Sequence, residues 1–109
     1  MRRCCVRIYR VTVRGWFDQL TDDQRLSLLA GAAQHDVVSV GAFTEAGTLT
    51  YERSLHTFTF RVQLREEGDD AEEVAVERAT AAAIAHVEAL GAAHRNVRAT
   101  AVDMASVWS

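Results

Sequence analysis

The side chains in this sequence best suited to chemistry are arginines spaced at alternate positions of an extended run. Between Arg7 and Phe17, one parity carries Arg10, Thr12, Arg14 and Trp16, and the other carries Tyr9, Val11, Val13 and Phe17. Successive side chains of a strand point to opposite faces, so the first set lines a polar face and the second a core face. The pattern recurs further on. Thr59, Arg61 and Gln63 alternate with Phe58, Phe60, Val62 and Leu64, and Arg98, Thr100 and Val102 alternate with Val97, Ala99 and Ala101. One sheet face thus collects Arg10, Arg14, Arg61 and Arg98 with Trp16, joined by Thr50 and by Glu52 as the main counter-charge. A guanidinium is planar, permanently charged and matched to carboxylate or phosphate. The candidate ligand-binding residues are therefore Arg10, Arg14, Trp16, Arg61 and Arg98, and the ligand they suit is a small acidic or aromatic molecule; the plainer reading of the same face is a solvated sheet surface kept soluble by Arg–Glu and Thr–Thr cross-strand pairs.

Other residue types offer less. His35, His56, His86 and His94 are scattered without metalloprotease or zinc-finger spacing, so no metal site is expected. His56 is the candidate for proton transfer, because it falls in a loop at a sheet end and an imidazole titrates near neutrality. No acid is paired with it in sequence, and an ordinary turn residue is the plainer reading. The run Glu66–Glu73 holds six acids in eight residues. It lacks the alternate ligand positions of a calcium loop and serves better as a helix start. No nucleophile elbow and no phosphate-binding glycine loop occur, so no cofactor is expected. Cys4 and Cys5 are adjacent, and on an extended strand they face opposite ways, which excludes a disulfide framework and fits a reducing compartment.

The elements that must position these residues can be read in order. After the strand Arg7–Phe17, Thr21 and Gln24 form a capping-box pattern that opens a helix with Leu26, Leu29, Ala30 and Ala33 on its apolar stripe, closed at His35-Asp36. Val37 to Thr44 is rich in β-formers and is expected to add a further strand. Strands over 48–53 and 57–65 form a hairpin, and a loop centred on Leu55-His56 sets Tyr51 opposite Phe60, Leu49 opposite Val62 and Thr50 opposite Arg61. A helix over 71–90, with Val76, Ala79, Ala83, Val87 and Leu90 on one stripe, stops at Gly91. A strand over 96–104 ends the set. The expected fold class is α+β: a ferredoxin-like βαββαβ sandwich, its antiparallel sheet carrying two helices on one face and an extra strand after the first helix.

Length and composition agree. The chain has 109 residues, a net charge of −3 and 49% apolar residues, enough for one domain with a core. It contains no Pro, and all 12 basic residues are Arg. No apolar run approaches the roughly 20 residues a membrane helix needs, and Arg7 and Arg10 interrupt any signal-peptide core, so a cytoplasmic protein without membrane partners is expected. Nucleic acid is a poor partner. The net charge is negative, the hairpin aromatics belong to the core, and Trp16 alone is left to stack on a base.

Tyr9-Arg10-Val11-Thr12-Val13-Arg14-Gly15, Phe17-Asp18, Gly47-Thr48-Leu49-Thr50-Tyr51, Phe58-Thr59-Phe60-Arg61, and Asp103-Met104-Ala105 with Val107-Trp108 together resemble a family of small actinobacterial proteins of unknown function. The resemblance spans nearly the whole chain, is weakest over 2–6, and implies no activity. At the level of fold, the pattern is similar to dimeric α/β-barrel proteins, in which two such sheets enclose a small-molecule pocket. That similarity implies a homodimer and a cofactor-independent metabolic enzyme or binding protein. The alternative is a non-catalytic interaction or homo-oligomerisation module using the same face. Trp16 is expected to meet a partner or ligand, and Trp108 to seal the core edge.

Overall fold

The computed structural model describes residues 6–104. Its strands are β1 (Val6–Asp18), β2 (Thr48–Tyr51), β3 (Thr57–Glu67) and β4 (Ala93–Asp103), and its helices α1 (Asp22–Ala30), the single turn α2 (Val37–Val40) and α3 (Ala71–Ala89). The four strands form one antiparallel sheet in the order β2-β3-β1-β4. This is the βαββαβ arrangement, and it places β1 and β3 at the centre. The parities behave as the alternation demands. Tyr9, Val11, Val13 and Phe17 are buried, as are Phe58, Phe60, Val62 and Leu64. α3 covers that face with Ala71, Ala75, Ala79, Ala83 and Val87, one residue every fourth position. Side chains this small let the helix lie close to the two buried phenylalanines.

α1 begins at the expected capping box: the Thr21 hydroxyl accepts from Gln24 N–H at 3.1 Å, and the Gln24 side chain accepts from Thr21 N–H at 2.8 Å. Its buried side chain is Leu28, followed by Ala32 in a short 3-10 turn, whereas Leu26 is exposed. Two apolar stripes compete on this short helix, and a tertiary contact decides between them. The buried Tyr51 hydroxyl donates to the Leu28 carbonyl at 2.6 Å. In α3 the stripe likewise shifts from Val76 to Ala75 and Ala71, because the expected stripe chose the larger side chain and the close helix–sheet contact takes the smaller.

The extra strand expected over Val37–Thr44 does not form. Val37–Val40 is one helical turn, and of the expected strand only Thr44 bridges the sheet, pairing in parallel with Val62. The Gly41 N–H closes the turn onto the Val37 carbonyl at 3.0 Å, and beyond it only the Thr44 carbonyl reaches the β3 edge, accepting the Gln63 N–H at 2.8 Å. β2 occupies β3 from Phe58 to Arg61, and the outer side of β2 is engaged by His35, whose Nδ1 donates to the Leu49 carbonyl at 2.7 Å. The connection instead wraps round the sheet edge, and Phe43 ends beneath the Arg10 guanidinium, 5.4 Å from its ring centroid.

The hairpin register also differs, by two residues: Leu49 pairs with Phe60, Thr50 with Thr59 and Tyr51 with Phe58. Leu55 folds into the core with φ 58°, which moves the turn toward Ser54, and the His56 carbonyl accepts the Phe17 N–H at 3.0 Å. An even slip leaves every side chain on its expected face. β4 starts at Ala93, so His94 lies within the strand opposite Phe17 and not in a loop before it.

Candidate functional site

The sheet face turned away from α3 carries the predicted arginines in cross-strand rows. Gln63, Arg10 and Val102 form one row; Thr48, Arg61, Thr12 and Thr100 the next; then Thr50, Thr59, Arg14 and Arg98. A β-bulge after Arg14 shifts the register, so Trp16 pairs with Arg95 rather than Asn96, whose φ is 53°. The bulge sits beside Gly15, where any Cβ would meet the Phe58 ring at 2.5 Å. Only glycine permits β1 to pass so close to the core there.

Arg14 and Arg98 are therefore directly opposite one another on β1 and β4, and neither has a hydrogen-bond or ion-pair partner among the described residues. Arg61 lies one row away and donates to the Thr50 hydroxyl at 3.1 Å. Thr50 is only 4% exposed and donates in turn to the Thr59 carbonyl at 3.3 Å, which fixes the position of that guanidinium. Arg10 is held elsewhere: its Nε donates to Gln63 at 3.1 Å and its guanidinium covers Phe43.

Two clefts open on this face and share Arg14 and Thr57. The first, of about 780 Å³, runs between the segment Ala32–Val37 and the sheet residues Thr50, Thr59, Arg61 and Arg14, with Asp36, Glu52 and Arg53 also lining it. Its charges are mixed. Glu52, the expected counter-charge, lines this cleft but pairs with none of the arginines. Tyr51 contributes to the wall, and burial pushes its phenol above the usual range, so it remains a neutral donor engaged with the Leu28 carbonyl. The second cleft, of about 500 Å³, is lined by Thr12, Arg14, Trp16, Asn96, Arg98 and Thr100 along with Gly15 and Thr57. It contains two cations and no acid. Both volumes suit a small molecule.

Of the residues expected to bind a ligand, Arg14 and Arg61 meet in the first cleft and Arg14, Trp16 and Arg98 in the second, while Arg10 lines neither. His56 is exposed in the β2–β3 loop and also lines neither; its visible work is done by its backbone carbonyl. Among the other histidines, His35 stacks on Tyr51 with 5.0 Å between centroids, and His86 lies 4.7 Å from the Phe60 ring with Nδ1 donating to the Ala82 carbonyl. Among the described residues no three His, Cys, Asp or Glu side chains gather as a metal site would require. No described helix is long and apolar enough to cross a membrane. Cys4, Cys5 and Trp108 lie outside the described residues. The wall Ala32–Val37 was not legible beforehand, because the same residues read as a helix end and a strand; Asp36 before Val37 and Gly41 after Val40 are the signals of the short turn found there.

Fold and site together define a small α+β protein of ferredoxin-like topology with an arginine-lined open sheet face. The chain belongs to DUF6204, a family of unknown function, which it matches over residues 1–108. No curated protein and no solved structure matches it.

Proposed function

We propose that this protein binds a small acidic molecule on the open face of its sheet, held by Arg14 with Arg98 on one side and Arg61 on the other. The observation that carries this reading is the Arg14–Arg98 pair. Like charges directly opposite in an antiparallel sheet are destabilising, and here no carboxylate of the described residues forms an ion pair with either. A bound anion accepting from both guanidinium groups turns that repulsion into charge-assisted hydrogen bonding.

Enclosure by a second copy belongs to the same proposal. Ile8, Trp16 and Val102 are 38%, 42% and 44% exposed on this face, apolar surface that a homodimer would cover. Two bare faces would set arginines against arginines, so dimer and anion should form together. The second reading, a flat homo-oligomerisation or protein-interaction surface without a cavity, rests on the same three apolar side chains.

Native mass spectrometry of gently purified protein tests both at once. A dimer that retains a small acidic mass, with both lost in Arg14→Ala, is the expected result. A dimer, or a complex with another protein, that carries no small molecule and survives Arg14→Ala would overturn the ligand reading in favour of the interaction surface.

A further inference from the structure

The second cleft holds more than a pair of cations, and the neighbours of Trp16 narrow the ligand class. Resting on the anion-binding reading above, we infer that this cleft takes a planar aromatic carboxylate, its ring stacked on Trp16 and its carboxylate shared by Arg14 and Arg98.

Three observations converge on this. The Trp16 indole lines the cleft and is 42% exposed, although it is among the largest apolar side chains of the protein. The Arg95 guanidinium lies over the indole, 5.8 Å from the ring centroid, yet lines no part of the cleft. Arg95 is itself steadied by Asp18, with Nε 3.7 Å from a carboxylate oxygen. A cation over one side of an indole draws π density toward itself. The side left to the cleft is then suited to stack the ring of a negatively charged aromatic molecule.

Spacing supplies the third constraint. Trp16 and Arg14 are two residues apart on one face of β1, about 6.8 Å along the strand at the usual rise. Arg98 stands directly across from Arg14. A carboxylate attached directly to a six-membered ring, hydrogen-bonded to guanidinium at about 2.8 Å, spans that distance. Thr12, Thr100 and Asn96 around the rim can accept or donate hydrogen bonds to ring substituents.

The test compares three probes on the full chain: benzoate, cyclohexanecarboxylate and inorganic phosphate. Benzoate and cyclohexanecarboxylate have the same charge and nearly the same size, but only benzoate has a π face. Isothermal titration should show benzoate binding about two- to twelvefold tighter, the range an aromatic pair contributes beyond burial. In a Trp108→Phe background, where Trp16 is the remaining tryptophan, benzoate should also change the indole fluorescence. Trp16→Leu should bring the two carboxylates to equal affinity while phosphate binding persists, and Arg98→Gln should weaken all three. Equal affinity for the two carboxylates in the unmodified protein, with phosphate still bound through Arg98, would overturn the aromatic assignment and leave the anion site standing. Failure of all three probes to bind would overturn both. The probe comparison is made on the unmodified protein, so it does not depend on any variant folding.

Discussion

Replacing Arg98 by Gln should make the ligand-free protein more stable at low salt while weakening its response to anions. Arg14 and Arg98 face each other across β1 and β4 with no carboxylate partner among the described residues. Like charges so placed cost about 0.2–1 kcal/mol, and because both side chains are exposed the lower half of that range applies. For a domain of this length, such a gain is about 1–3 °C in melting temperature. The effect must fade with salt, since the screening length falls from about 30 Å at 0.01 M to about 3 Å at 1 M ionic strength. Circular-dichroism melts of both proteins at these two salt concentrations provide the measurement. A second series adds phosphate at constant ionic strength. Saturating ligand at about 100 times its Kd stabilises the state that binds it by about 2.7 kcal/mol, and the variant should lose most of that response. A variant less stable than the parent at low salt, or a gain of equal size at both salt concentrations, would refute the repulsion argument. An undiminished phosphate response in the variant would refute the role given to Arg98.

Three further outcomes follow from the packing. Tyr51→Phe removes the buried hydrogen bond to the Leu28 carbonyl, which should cost about 0.5–1.5 kcal/mol in a urea melt and speed amide exchange in α1. Burial holds the phenols of Tyr51 and Tyr9 above their ordinary value, with Asp103 adding to the shift at Tyr9. The unfolded chain therefore releases these protons first, so stability should be level below about pH 10 and fall as pH rises beyond it; the fall should be shallower in Tyr51→Phe. Gly15→Ala drives a methyl group into the Phe58 ring and to within 3.1 Å of Val97, and should cost about 1–3 kcal/mol through overpacking, read as a lower urea midpoint.

The faces of the sheet were legible from alternation alone, and for a plain reason. Side-chain direction in a strand is a local, period-two property, so Arg10, Arg14, Arg61 and Arg98 could be assigned to the polar face without knowing any partner strand. The capping box at Thr21 and the stop at Gly91 were legible for the same reason, since each depends on a few adjacent residues. The two-residue error in the hairpin was invisible to this logic because an even slip preserves every face; Leu55 entering the core decided it.

What the sequence by itself determined is the βαββαβ order outside the segment 37–44, the core face and the list of arginines that share the open face. Tertiary structure alone decided which of them meet. Arg14 stands opposite Arg98 because β4 pairs with β1 in one register, and Trp16 meets Arg95 because a bulge beside Gly15 skips a residue. Arg10 leaves the group because the connection after α1 touches the sheet only at Thr44 and places Phe43 against its guanidinium. Each of these depends on residues distant in the chain competing for the same edge or space. Such competition is settled by packing of the whole domain, and no local pattern carries it.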